Sequence, residues 1–231
     1  MKTKIKKSGD TTPENHTRKA YAGIRAMMFH NDIGPGQKIA YRDLAERLGM
    51  SQTPVIQALK WLEFQGLVRH EPNRGYYPEP VSIREVDEIY EFRETVELSL
   101  LPRTMARMTA HGLERLKTAL DAHVKVAQEV YLHERLARDM DFHLTLAELS
   151  ENRVQQAALR NLFDLLYLKY GASILFSTSM EQAHNEHRQL MTHIEKNDVE
   201  SARQVLSRHI RHVRDHVLSG LEHRELMKGF V

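Results

Sequence analysis

Residues 35–76 read PGQKIAYRDLAERLGMSQTPVIQALKWLEFQGLVRHEPNRGY. Leu44, Ala45 and Leu48 recur at helical spacing over 41–48, and Gly49 stops that run. Ser51 is a helix-capping residue type, and Pro54 is tolerated in a first turn. Val55, Ala58, Leu59 and Leu62 then form the apolar stripe of a second helix, which Gly66 ends. Leu67–Glu71 and Tyr76–Glu79 are β-prone, and Pro72-Asn73-Arg74-Gly75 between them has turn chemistry, so the pair predicts a hairpin. Upstream, Ala20, Ile24, Met27 and Met28 predict a helix over 15–31, closed by Asn31-Asp32 and Gly34-Pro35-Gly36. Three helices followed by a hairpin describe a winged helix-turn-helix, a module that lays one helix in the DNA major groove.

The remaining chain has a different grammar. Pro78 and Pro80 mark a linker, and residues 81–231 carry almost no strand signal. Periodicity predicts helices over 83–109, 112–131, 134–150, 153–177, 180–196 and 198–221. The breaks fall at His111-Gly112, near His133, at Ser150-Glu151-Asn152, at Ser177–Ser179 and at Lys196-Asn197-Asp198. Pro102, inside the first of these helices, predicts a kink or a split. Amphipathic helices with short connections imply an antiparallel bundle. The expected fold class is therefore mainly α: a flexible basic tail over 1–14, a winged helix-turn-helix over 15–80, and an all-helical unit over 81–231.

Composition narrows the function classes. The chain of 231 residues is 41% hydrophobic, yet no apolar run approaches the ~18 residues of a membrane span. The basic N-terminus lacks the apolar stretch of a secretory signal. With no cysteine there are neither disulfides nor thiolate metal sites, which fits a reducing, cytoplasmic setting. The net charge of +2 is split: residues 1–80 hold 13 Lys and Arg against 8 Asp and Glu, and the rest holds 20 against 23. A basic first third suits a polyanion such as double-stranded DNA.

The start of the second helix of such a module meets base edges. Here that start is Ser51, Gln52 and Thr53, with Gln57 and Lys60 one and two turns on. Glutamine can bond adenine bidentately, and serine or threonine can reach bases or phosphates. Arg42 is a candidate phosphate contact, and Arg74 at the hairpin tip a candidate minor-groove contact, with Gly75 allowing the turn. A winged helix that binds protein instead of DNA is the alternative.

In the helical part, Asp139 and His143 share a helix face with Leu136 and Leu146. His187 lies on a stripe with Leu190, Met191 and Ile194, and His209 on one with Ala202, Leu206, Val213 and Val217. Buried imidazoles and a buried carboxylate need partners. One divalent ion would satisfy all four residues; zinc, nickel, manganese and iron all suit such a ligand set, and the spacing does not choose among them. Taken singly, each histidine is better read as a core residue bonded to a neighbouring side chain; three such seams in one bundle are what raise the metal reading.

Two resemblances sharpen this reading. The segment PG-x-K-I-x(2)-R-D-L-A-E-R-L-G-M-S-x-T-P-V-x(2)-A-L-x(2)-L-E-x(2)-G-L-V-x(4)-N-R-G closely resembles the DNA-binding domain of the GntR family of bacterial transcription regulators. Gln52 and Ile56 stand where that family usually has arginines that contact operator DNA, so the resemblance implies an altered operator. Residues 84–216 resemble the FCD-type effector domain of the FadR subgroup. The marks are Arg93-x(3)-Glu97, Asp139-x(2)-Phe142-His143, Glu186-His187-x(5)-His193-Ile194 and Asp198-x(3)-Ala202-x(6)-His209. The second resemblance implies metal ligation by Asp139, His143, His187 and His209, with a small organic acid bound at the open metal positions. Arg93 would be the second anchor of that acid, or else a structural partner of Glu97 or Asp139. His212 and His216, one and two turns beyond His209, are candidate substitute ligands or outer partners. The family's Ser-Gly-Asn is Ser150-Glu151-Asn152 here.

The leading expectation is a non-enzymatic, ligand-responsive repressor, homodimeric on an inverted-repeat operator. One alternative is a regulator whose metal is purely structural or is itself the signal. A remoter one is a metal-dependent hydrolase, with Asp141 and Glu148 as the nearest carboxylates for a general base.

Overall fold

A computed structural model of the chain describes residues 13–34, 36–80, 82–126, 132–169 and 180–228. They divide into two compact units, Met1–Pro80 and Val81–Val231.

In the first unit, α1 (Pro13–Phe29) and α2 (Tyr41–Arg47) both pack on α3 (Gln52–Phe64), and β1 (Val68–Glu71) pairs antiparallel with β2 (Gly75–Pro78). Helix α1 begins inside the segment expected as a tail, because proline suits a first helical position where no N–H is needed; residues 1–12 of that segment lie outside the described residues. Ala20, Ile24, Val55, Ala58, Leu59 and Leu62 form the fully buried centre. The hairpin register runs from Val68 opposite Pro78 to Glu71 opposite Gly75. Asn73 (φ 63°) and Gly75 (φ 115°) supply the left-handed backbone of its turn. The Ile39 N–H donates to the Tyr76 carbonyl at 2.7 Å and adds a third, single-bridge edge to the wing.

Ser51 occupies the N-cap position of α3, but its side chain makes no capping bond. An N-cap oxygen normally accepts from the second or third helical N–H. The third residue here is Pro54, which has none.

The second unit is built from α4 (Ile83–Ala106), α5 (Ala110–Val126), α6 (Leu132–Leu149), α7 (Arg153–Asp164), α8 (Met180–Glu195) and α9 (Val199–Lys228). Helix α4 lies against α6, α7 and α9, α5 against α6 and α8, and α8 against α9. Phe142, Leu159, Phe163, Leu166, Leu101, Leu116, Leu206 and Ile210 are buried in its core. Side-chain caps start two of these helices: Ser82 accepts from the Glu85 N–H, and Asn152 from the Gln155 N–H. No helix among the described residues is long and apolar enough to cross a membrane.

Three boundaries differ from expectation, and a fourth, at Ser150-Glu151-Asn152, falls where expected but in an unusual conformation. Helix α4 is not split at Pro102 and ends at Ala106. The proline frees the Leu98 carbonyl one turn back, and Arg203 on α9 donates to it at 3.1 Å, replacing the missing helix donor. The helix expected over 153–177 is α-helical only to Asp164 and continues as a π-helical turn, Leu165–Lys169; the break expected at 177–179 lies outside the described residues. Helix α9 passes Gly220 and runs to Lys228, because the residues that follow include strong helix formers. At the α6–α7 junction Glu151 takes the left-handed conformation (φ 55°) that the family's glycine would adopt freely, and Arg107 holds its carboxylate at 2.5 Å.

Arg203→Met is expected to cost about 1 kcal/mol by leaving the Leu98 carbonyl unmet. The cost should largely vanish in a Pro102→Ala background, where the restored N–H takes that carbonyl. Urea denaturation of the two single variants and the double variant measures the difference.

Candidate metal centre and nucleic-acid interface

Three helices of the bundle aim polar groups at a common point, two from α6 and one each from α8 and α9. Asp139 and His143 come from successive turns of α6, His187 from α8 and His209 from α9. One ligand atom from each of the four lies within 4.8 Å of all the others. The three histidines are fully buried, and Asp139 is partly exposed. Leu190, Met191, Ile194, Ala202, Leu206 and Val217 of the expected stripes are buried around them, whereas the side chain of Leu136 lies outside the described set.

The tautomers follow from the carboxylates behind the rings. Nδ1 of His143 is 2.6 Å from Oε2 of Glu97, and Nδ1 of His209 is 3.0 Å from Oε2 of Glu186. An ionised carboxylate can only accept, so both Nδ1 atoms carry protons and both Nε2 atoms face the cluster. Burial favours neutral Glu97, but the charges of His143 and Arg93 and their hydrogen bonds hold it down at about 2. Glu186 is held low in the same way, against its burial, by His209 and His212.

At the centre, Nε2 of His187 is 3.3 Å from Nε2 of His143, and each is 3.7 Å from Oδ1 of Asp139. Two ligands on adjacent vertices of a tetrahedron, at the ~2.0–2.1 Å of a zinc–nitrogen bond, stand about 3.4 Å apart. Burial, reinforced by His209, pushes His187 well below the ordinary histidine range, and burial also lowers His209. His143 moves up: burial opposes its charge, but the Glu97 and Asp139 carboxylates favour it more. Asp139 is held well below the usual carboxylate range because His143 and Arg93 outweigh its burial. The buried Nε2 of His209 has no hydrogen-bond partner among the described residues. Two imidazoles driven neutral by burial, a third aimed at the cluster by Glu97, an ionised carboxylate and an orphaned inward-facing nitrogen form a donor set that fits a divalent cation, whose binding would displace any proton on the inward nitrogen of His143.

Arg93 is fully buried in α4. Its Nε donates to Oε1 of Glu97 at 2.5 Å, so Glu97 bridges Arg93 and His143. The guanidinium carbon lies 4.5 Å from the centroid of the Phe163 ring and 5.7 Å from that of Tyr90. Its two terminal nitrogens have no hydrogen-bond partner among the described residues. Arg93 is thus a structural partner of Glu97 through one nitrogen and retains a free fork of two.

Several contributors were not singled out by sequence reading. Glu186 appears only as a letter of a motif, and Glu97 only as a partner of Arg93, which lies four residues before it; neither is read as a support of a cluster histidine. The Tyr167 hydroxyl donates to Oδ2 of Asp139 at 3.0 Å, from the π-helical turn that brings it to this face. His123 on α5 is buried against the ring of His187, with centroids 4.8 Å apart, and burial pushes it down to about 4. His212 uses its Nδ1 on the other oxygen of Glu186, at 2.6 Å, and so stands behind His209 instead of replacing it. Asp141 is engaged by Arg138 at 3.2 Å and Glu148 by Arg115 at 2.8 Å, both toward the surface.

In the first unit, Arg42, Ser51, Gln52, Thr53, Gln57, Lys60 and Arg74 are all exposed, and Gly75 is half-buried in the wing turn. Ser51, Gln52 and Thr53 open α3, and the free hydroxyl of Ser51 follows from its unused cap. Gln57 is steered from behind: buried Thr17 of α1 donates to its Oε1 at 2.6 Å. Arg74 rests 3.5 Å from Glu71 at the wing tip.

A winged helix-turn-helix joined to an all-helical unit with a buried Asp/His cluster defines a two-part DNA-binding transcription regulator. The family profile described as FCD domain matches residues 88–212, more than half of the chain, and that of bacterial regulatory proteins of the gntR family matches residues 16–77. The chain belongs to the GntR family, in its branch with an FCD domain. It is similar to the uncharacterised helix-turn-helix-type transcriptional regulator YdhC of Bacillus subtilis, 25% identical over 203 residues that cover 87% of this chain and 91% of that one. It is also similar to the helix-turn-helix-type transcriptional repressor RspR of Escherichia coli, 21% identical over 207 residues covering 90% of each. Among solved structures, E. coli McbR/YncC shares the fold with a TM-score of 0.79 at 19% identity, over 88% of this chain and 97% of that chain.

Proposed function

We propose that this regulator is a metal-loaded repressor, homodimeric on an inverted-repeat operator in the cytoplasm and released by a small organic acid. The observation that carries the reading is the convergence of Asp139, His143, His187 and His209 beside the free fork of Arg93. Those four residues hold the divalent ion, zinc first among the candidates. The ion supplies a Lewis-acidic anchor for a carboxylate, and Arg93 takes a second acid group bidentately. The effector switches DNA binding only if it binds the two states of the regulator with different affinity. RspR, named as a repressor, supports the sign of the response. The bridge from Arg93 through Glu97 to His143 favours a second reading, in which the ion staples the bundle and carries no effector.

Operator reading belongs to Ser51, Gln52, Thr53, Gln57 and Lys60, with Arg42 on phosphate and Arg74 and Gly75 at the wing. Gln52 and Ile56 in place of two arginines remove two cations from the interface, which flattens the salt dependence of binding.

Purified protein should hold close to one divalent ion per chain, and His187→Ala should lose it; full occupancy in that variant, measured by elemental analysis, would sink the ligand set. Selection from a random DNA pool should enrich an inverted repeat, and Gln52→Arg should shift one position per half-site toward guanine. An unchanged motif would show that residue 52 does not face bases. Arg93→Ala should leave operator affinity intact while abolishing release by an acid that releases the wild type, as read by gel shift; an undiminished response would assign Arg93 to structure alone.

A further inference from the structure

The three cluster histidines are not supported alike. A metal-bound imidazole that coordinates through Nε2 carries its proton on Nδ1 and needs an acceptor there. His143 has Glu97 and His209 has Glu186. The Nδ1 of His187 is buried and has no partner among the described residues. Four described rings touch His187: Phe142, His143, His209 and His123. Phenylalanine offers no acceptor, and the other two are committed at both nitrogens, Nδ1 to a carboxylate and Nε2 to the cluster. His123 is 2% exposed, and neither of its ring nitrogens has a hydrogen-bond partner among the described residues. Its ring meets His187 edge-on, at 85° and 4.8 Å between centroids, and meets His184 at 4.7 Å.

On the metal-centre reading, we infer that His123 is the positioning residue of His187: its ring lone pair accepts the His187 Nδ1–H when the ion is bound. Helix α5, which supplies no ligand, thereby becomes part of the metal site, and the pattern of one outer acceptor per ligating histidine is complete. Leaving two polar ring atoms unmet in the metal-free core is the cost of having that acceptor ready. A side chain that only filled space there would be apolar.

The test uses the full chain and Zn²⁺ alone, titrated against a chelator of known affinity. His123→Phe keeps the ring and removes the acceptor; His123→Asn and His123→Gln set a carbonyl oxygen near the Nδ1 and Nε2 positions. The Phe variant is expected to bind Zn²⁺ about 10–100-fold more weakly, and at least one amide variant to stay near wild type. The metal-free Phe variant should melt about 2–4 °C higher, since two orphaned nitrogens are gone. Its Co²⁺ absorption bands should match the wild type, because the inner set of ligands is unchanged. Wild-type Zn²⁺ affinity in the Phe variant overturns the inference, as does weakening that neither amide rescues. Altered Co²⁺ bands in the Phe variant also overturn it, by making His123 a ligand. If the Phe variant does not fold, His123→Leu against His123→Gln makes the same comparison. A wild-type chain that takes up no Zn²⁺ overturns the metal-centre reading itself.

Discussion

Glu97 accepts from two donors at once, Arg93 on one oxygen and His143 on the other, inside a bundle that leaves all three side chains essentially without water. Burying an ion pair seldom adds net stability, because desolvation consumes most of the attraction. What such a pair does well is fix position. Arg93 and Glu97 lie one turn apart on α4, so the pair sets the orientation of the His143 ring across the interface with α6. Opposite it, Glu186 performs the same task for His209 across α8 and α9. The cluster is therefore framed by two carboxylates that do not belong to it, each rooted one helix away from the imidazole it turns.

The sequence shows the members of this cluster more plainly than their supports. Asp139, His143, His187 and His209 stand out because each interrupts an apolar stripe, and periodicity is a property of the chain itself. Glu97 and Glu186 do not stand out, because a glutamate on a helix is an ordinary surface residue until the neighbouring helix is known. Tyr167 was illegible for another reason: the π-helical turn puts it on a face that an α-helical count does not assign to it. Pro102 misled because the rule that proline breaks a helix assumes that no other donor comes for the orphaned carbonyl, and Arg203 does. The winged unit was legible almost to the residue, since its glycines, prolines and asparagines punctuate every turn, and its elements are local.

The DNA-reading helix shows how one local substitution acts on another. Pro54 removes the N–H that Ser51 would cap, and the hydroxyl that helix ends usually consume stays at the surface where the helix begins. Behind the same helix, Thr17 donates to the carbonyl oxygen of Gln57 and fixes that end of its amide.

The π-helical turn also bears on how this chain tolerates changes in length. A helix advances about 100° per residue, and a π turn accommodates one residue more than an α turn does. A chain shorter by one residue between 165 and 169 could close that turn as ordinary helix with its backbone bonds intact. Because the wider turn absorbs the extra residue, the chain beyond it would keep the faces it now presents, while the side chains inside the turn would be reassigned, taking the Tyr167 hydroxyl off Asp139. The segment is thus a point where one residue can be lost at the cost of the contact made from inside the turn, without re-aiming the helix around it.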